Sequence, residues 1–574
     1  MAAPPQSAAI YYSAADYDPS KRMMGRQVAS EAFLKAAALY DPSPELVVYG
    51  TDPAGVKTFE QVQLRMGAAK TRTYRGLRPG DLAGLARAGC LYRPDPVLHE
   101  EAWHRQSANT RAYSLTGITH TLSSAGAQKA LTQYLVAPYE EWDAIICTSH
   151  AVRRAIDHIL GEFGGYLAER LGAPRPPRPP MQLPVIPLGV HSADFDTTTK
   201  PMQAARARWR KKLGIGDTDV VALFVGRLSF HAKANPYPMY RALQIAAERT
   251  GLKLHLVQVG WFGNDHIESA FKQGARDFCP AVKCHFLDGR LPAVRADIWS
   301  VGDFFTSLVD NIQETFGLSP VEAMAAGLPV VASDWDGYRE TIRAGGDGIL
   351  VRTLMTPPGL GEPLAARHSA GLDNYDNYIM VAALNVAVDI GQAADAYASL
   401  ASNPGLRARM AAAGRQRAHE TFEWKRVYGQ YRELWGELAQ RRGNATPRTT
   451  RKPGTSANPS HPDPFRLFAH YATTTFTAKS RLKLVAGFDA AAWKHVLSNP
   501  LLTARNPLLA TLDEQLAIRA AIEIVGTLEV GAFLQSVAAP RRDIHARALP
   551  LLLKAGLIDI DDRAEIANRA GPLT

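Results

Sequence analysis

Cysteine is scarce in this chain: four in 574 residues, at Cys90, Cys147, Cys279 and Cys284. None is paired at metal-ligand spacing, which excludes a structural zinc module and reads as reduced thiols in a cytoplasmic protein. Long hydrophobic runs are missing too, so no segment is expected to cross a bilayer. The start, MAAPPQSAAIYYSAADYD, lacks the basic flank and long apolar core of a signal peptide. No G-x4-G-K-[ST] string exists, which removes the phosphate loop of that type. His99 and His104 lie five apart, so they do not share a helix face as a zinc-protease pair must.

What is present fits a large folded enzyme. Hydrophobic residues make up 46% of the chain, and the formal net charge is +10. A basic balance favours anionic partners, but nucleotide diphosphates, anionic lipid surfaces and nucleic acid all qualify. The length predicts more than one domain, and three are expected. Apolar strands alternate with helical stretches, the pattern of parallel α/β layers. In the first half the strands are expected at 8–12, 45–49, 112–119 and 144–148, with a last one at 183–190. A helix is expected at 28–39, and Ser149 suits the cap of another beginning HAVRRAI. RPPRPP at 175–180 reads as a stiff connector. A second series follows from about 204, with strands at 220–225, 252–259, 282–287, 304–308 and 329–332. Asp389 with Gln392 suits a helix start there, and 421–438 has apolar residues at helical spacing.

The most informative stretch is 310–340, DNIQETFGLSPVEAMAAGLPVVASDWDGYRE. Ser319 followed three residues later by Glu322 predicts a capping box, with Pro320 at the first helical position. Gly327 and Pro329 close the helix before an apolar strand. Amides at the helix start then lie unpartnered at the positive end of the dipole, which suits a phosphate. Glu314 precedes that turn and Glu322 follows it. A carboxylate accepts two hydrogen bonds side by side and fits vicinal sugar hydroxyls, so the expected ligand is a nucleotide-sugar. On the plainer reading Glu322 only caps its helix and Glu314 is a solvated loop acid.

The string E-T-F-G-L-S-P-V-E followed by A-M-A-A-G-L-P-V-V resembles the E-x7-E signature of the family 4 (group 1) retaining glycosyltransferases. The resemblance spans about residues 110–440 and, more weakly, the first hundred. It implies the GT-B fold: two doubly wound Rossmann-like domains facing a cleft, with a helix crossing back onto the first. By resemblance Glu314 contacts donor-sugar hydroxyls, Phe316, Gly317 and Leu318 present amides to sugar and diphosphate, and Glu322 holds the ribose. Arg227 and Lys233, after the strand VVALFV, are implied to stabilise the leaving diphosphate. The gap between them is one residue longer than the commonest family pattern. His120, after AYSLTGIT, is implied to lie near the transferred sugar and help stabilise charge, although a lone His is usually structural. Asp288, Gly289 and Arg290 are implied to lie against the base through their backbone atoms. Gly25 and Arg26 either carry a phosphate or acceptor group or simply start a helix with an exposed Arg, since the loop has a single glycine where the family is glycine-rich. Asp334-Trp335-Asp336 has the D-x-D form of metal-dependent transferases of another fold, but lies where the family has an ordinary loop. No metal and no cofactor are therefore expected.

The expected organisation is an acceptor domain at 1–200, a nucleotide-sugar domain at 201–420, a returning helix at 421–440, a disordered linker at 441–464 and a small helical module at 465–574. The linker is expected from its Pro, Ser, Thr and basic content. Within the module, IHARALPLLLKAGLIDI resembles the end of a winged-helix unit, but Pro550 inside the helix counts against it. A protein partner is expected there in preference to nucleic acid. The resulting expectation is a retaining hexosyltransferase, cytoplasmic and loosely peripheral to an anionic membrane. It moves a sugar from a nucleotide-diphosphate donor to a saccharide, lipid-linked or small-molecule acceptor. The alternatives are a GT-B epimerase or phosphorylase, separable by incubation with and without acceptor, and an inactive transferase-like scaffold, separable by deleting 441–574.

Overall fold

Twelve short strands build two parallel sheets, the central ones buried and the edge strands β3 and β9 mostly half-buried. The computed structural model describes residues 7–17, 25–447, 451–452 and 454–560. In the first sheet the strands are β1 (Ala9–Tyr11), β2 (Glu45–Tyr49), β3 (Thr73–Leu77), β4 (Cys90–Tyr92), β5 (Ser114–Ile118) and β6 (Ala144–Ile146). They lie in the order β3-β2-β1-β4-β5-β6. The second sheet comprises β7 (Val220–Val225), β8 (Leu254–Gly260), β9 (Lys283–Asp288), β10 (Phe304–Ser307), β11 (Val330–Ser333) and β12 (Gly348–Val351). Its order, β12-β11-β10-β7-β8-β9, is the same arrangement in space. Both domains are doubly wound and Rossmann-like, the GT-B fold. In such sheets the connections change direction between the first and fourth strands, and the crevice opens at the carboxyl ends there. That places the candidate site beyond β7 and β10, facing the loops beyond β1 and β4.

The expected strand at 183–190 does not form as such. Single bridges join Gln182 to Ala144, Val185 to Cys147 and Val190 to Glu423. Pro184 and Pro187 carry no N–H, so a continuous ladder cannot run through them. Helix Trp424–Asn444 packs back on the first domain, extending beyond the end expected at 440. The Tyr428 hydroxyl donates to Asp41 (2.7 Å), and the Trp435 indole N–H donates to Thr116 (3.2 Å). Gly189 admits this helix, because a Cβ there would stand 2.5 Å from the Trp424 ring. Deep in the first domain, Arg105 forks onto both oxygens of Asp143 at 2.6 and 2.7 Å, both side chains fully buried. Asp143 also accepts the amides of Leu115 and Glu140, each at 2.9 Å, so its buried charge is well satisfied.

Residues 459–574 form a separate compact unit. Helices Ala490–Leu497, Leu512–Val525, Val530–Ser536 and Arg542–Lys554 surround a core that includes Trp493, Ile518 and Leu549. Besides helices the unit holds a three-stranded antiparallel sheet, with Arg481–Leu484 between Leu528–Glu529 and Ile558–Ile560. Pro550 lies inside its helix without ending it, held there by the burial of Leu549 and Leu552. Parts of the linker expected at 441–464 (448–450 and 453) and of the module (561–574) lie outside the described residues. No helix among the described residues is long and apolar enough to cross a membrane.

Candidate functional site

The loop leaving β10 is stitched to the loop leaving β7 before any side chain reaches the cleft. The Asn311 side chain accepts the Gln313 amide (2.9 Å) and donates to the His231 carbonyl (2.7 Å). The Trp335 indole donates to the Asn311 carbonyl (3.1 Å), and Asp310 accepts the Asn235 amide (3.2 Å). On this scaffold Lys233 forms an ion pair with Glu314. Arg227 donates to the Ala232 carbonyl (2.9 Å) and to the Gln313 side-chain oxygen (3.2 Å). Burial alone would raise the Glu314 carboxyl. The Lys233 ammonium, helped by the Thr315 and Phe316 amides, more than offsets this and holds it below its ordinary value. Burial conversely works against the Lys233 ammonium, and Glu314 holds it charged.

The helix after this loop runs Leu318–Ala325, not from a Ser319 cap. Gly317 is the N-cap, at φ 89°, and no side chain caps the helix. The left-handed turn requires glycine twice over: its φ is positive, and a Cβ would lie 2.1 Å from the Tyr338 ring. The turn starts the helix one residue before Ser319, so the expected capping box does not form. Glu322, freed from capping, lines the cleft. Its carboxyl is pushed up to about 7 by burial, with Lys233 and Arg295 pulling the other way.

A cleft of about 1150 Å³ collects these groups. Second-domain residues on its wall include Arg227, Lys233, Glu314, Phe316, Gly317, Leu318 and Glu322; Gly25, Arg26 and His120 line the first-domain side. Of Asp288, Gly289 and Arg290, at the end of β9, only Gly289 reaches it. Asp288 and Arg290 are tied to each other at 2.8–2.9 Å on the exposed side, a local pair that keeps both side chains off the cleft wall. Gly289 donates to the Gly260 carbonyl (2.8 Å), so this loop presents backbone to the cleft. Helix Gly25–Tyr40 includes Gly25 and Arg26, three residues ahead of the start expected at 28, and Arg26 is ion-paired with Asp16 at 2.5 Å. The His120 ring is buried against the Pro94 carbonyl (3.0 Å), and burial, reinforced by Arg26, pulls it down to about 4. It is therefore neutral near pH 7.

Sequence reading missed Arg295, Gln313 and Trp261, along with Lys35 and Arg65 on the opposite wall. Arg295 had one signal: Pro292 opens a short helix, Pro292–Asp297, directly after β9. Asp334 of the D-x-D string pairs with Arg339 (2.9 Å). Among the described residues no group of three His, Cys, Asp or Glu side chains is arranged to hold a metal ion.

Several known proteins share parts of this chain. D-inositol 3-phosphate glycosyltransferase of Rhodococcus erythropolis (strain PR4 / NBRC 100887) is 28% identical over 180 residues, 29% of this chain and 40% of the relative. Spore coat protein SA of Bacillus subtilis (strain 168) is 29% identical over 167 residues, 29% of this chain and 43% of that protein. The match thus spans less than half of these relatives' length. HepE of Anabaena, crystallised with UDP, superposes with a TM-score of 0.47 at 16% identity, covering 75% of this chain and 99% of HepE. Residues 205–354, which hold Arg227, Lys233, Glu314 and Glu322, match the family model described as glycosyl transferases group 1.

Proposed function

We propose that the chain transfers a hexosyl group from a nucleoside-diphosphate sugar to an acceptor hydroxyl, with retention at the anomeric carbon. The observation that carries this reading is the convergence of one paired carboxylate (Glu314), one free of capping (Glu322), two cations and an uncapped helix start on one cleft at a topological switch point. Breaking the bond between sugar and phosphate builds charge on the diphosphate. Arg227, Lys233 and the amides after Gly317 sit where that charge develops, and such preorganised electrostatics is a large catalytic term. Glu314, kept ionised by Lys233, accepts from donor-sugar hydroxyls; Glu322 accepts from the ribose. No protein general base is assigned: the leaving phosphate takes the acceptor proton. The chemistry proposed uses no metal and no cofactor.

The acceptor enters from the first-domain wall, where Arg26, Lys35 and Arg65 suit a saccharide, lipid-linked or small polyol acceptor bearing an anionic group. The relatives named for inositol 3-phosphate supply one such chemistry. We place the protein in the cytoplasm, loosely peripheral to anionic membrane, with residues 465–574 binding a protein partner. The test is a thermal-shift screen of UDP-, GDP- and ADP-sugars, followed by NMR of the product's anomeric proton. An inverted product, or no stabilisation by any of these donors, overturns the reading.

A further inference from the structure

The turn that carries Glu314 is grasped from across the cleft. Thr315, next in sequence, donates its hydroxyl to the His120 carbonyl. Its own carbonyl accepts from the Ser149 hydroxyl (2.8 Å). Ser149 also caps the first-domain helix His150–Leu171, accepting the Val152 amide at 3.1 Å. One hydroxyl thus both starts that helix and holds the second domain. Two further amides at the same helix start, His150 and Ala151, donate to the two carboxylate oxygens of Glu340 (2.8 and 3.0 Å). A carboxylate at a helix N-terminus is favoured by the local dipole as well as by the two bonds.

Glu340 and Thr315 belong to one rigid block. Glu340 lies on the short helix Tyr338–Thr341, whose carbonyls at Glu340 and Thr341 accept from Arg417 (2.6 and 2.9 Å). Just before it, a Cβ on Gly337 would lie 2.8 Å from the Thr315 carbonyl oxygen and 2.7 Å from the Phe316 Cα. The Tyr338 ring closes over Gly317, and its hydroxyl meets Ser307 at 2.9 Å. These contacts connect Glu340 to the Glu314 turn, so a pull on one is transmitted to the other.

We propose that Ser149 and Glu340 form an interdomain clasp, and that both are positioning residues setting the distance of the Glu314 turn from the His120 side of the cleft. Neither is among the cleft-lining residues. The clasp rests on the transfer reading above. When it is made, the donor carboxylate and the acceptor wall are held in register. When it opens, the donor half still binds nucleotide, but water reaches the sugar.

The test compares wild type, Ser149→Ala, Glu340→Gln, the double variant, and the conservative Ser149→Thr, which keeps a hydroxyl for both bonds. Each is assayed for transfer, for donor hydrolysis without acceptor, for UDP affinity, and for radius of gyration by small-angle X-ray scattering. The expected result is a roughly tenfold fall in kcat for transfer in Glu340→Gln, the scale of losing bonds to a charged acceptor. UDP affinity changes less than threefold, the ratio of hydrolysis to transfer rises, and Ser149→Thr recovers at least half of the wild-type kcat. The double variant shows a larger radius of gyration at an unchanged folded fraction. Wild-type kcat and partition in the double variant overturn the clasp. An unchanged radius does so even where no sugar donor is turned over, a result that separately overturns the transferase reading.

Discussion

Glu322→Gln should make the free protein more stable at pH 8 while weakening its grip on nucleotide. The Glu322 carboxyl titrates at about 7 in the folded protein against an ordinary value of 4.5. The folded state therefore keeps a proton that the unfolded chain has released, so stability is lost as pH rises from about 4.5 through about 7. At 1.36 kcal/mol per tenfold change, the ceiling on this loss is about 3.4 kcal/mol. Relaxation and water entry into an open cleft bring the expected figure to about 1–2 kcal/mol. The amide cannot ionise, so the variant escapes the loss. Asp310 and Asp336, raised to about 7 and about 8 by burial, contribute in the same direction, so the quantity to read is the difference between variant and wild type. Urea unfolding at pH 5 and pH 8 gives that difference directly. Isothermal titration with UDP supplies the other half: wild-type affinity should climb between pH 6 and pH 8 as Glu322 ionises, and the variant should stay flat and be at least tenfold weaker at pH 8. Parallel stability curves for the two proteins would refute the argument that an uncompensated carboxyl sits in this wall.

Three further outcomes follow from named contacts. Lys233→Ala should cut kcat by about 10²–10³; it should also raise the Glu314 carboxyl, since burial is then opposed only by the Thr315 and Phe316 amides, so that a wild-type pH profile of donor KM would contradict the pairing. Asp143→Ala should destabilise the first domain by about 3–5 kcal/mol, because it strands the fully buried Arg105 guanidinium, and thermal unfolding would show it. Gly317→Ala should abolish nucleotide stabilisation in a thermal-shift assay, since the new methyl meets the Tyr338 ring and the turn is left-handed; retained UDP binding would count against that geometry.

Much of this site was legible before any coordinates. Local patterns place Glu314, Arg227 and Lys233 after strands, and a doubly wound sheet brings strand ends together. What the sequence hid was settled at longer range or by backbone choice. Ser319 has the chemistry of a cap, yet the left-handed Gly317 begins the helix earlier. Asp288 and Arg290 pair with each other, which leaves Gly289 alone of that loop's three residues on the cleft wall, and sequence does not show which of the three it will be. The neutral state of His120 comes from burial and from Arg26, with the Pro94 carbonyl working the other way, and none of these is adjacent in sequence. Of the small C-terminal sheet only the short strand after Gly556 was legible; its partners Arg481–Leu484 and Leu528–Glu529 are too short for alternation to show.

Helix Trp424–Asn444 carries one more consequence. The wall it supplies belongs to the amino-terminal half, where Phe33, Tyr92 and Asp41 wait for Tyr431, Trp435 and Tyr428. During synthesis that half emerges hundreds of residues before its own lid. An aromatic face is therefore left unsealed on the nascent chain until the second half is made, the kind of exposed apolar surface that makes a partly folded chain prone to aggregate.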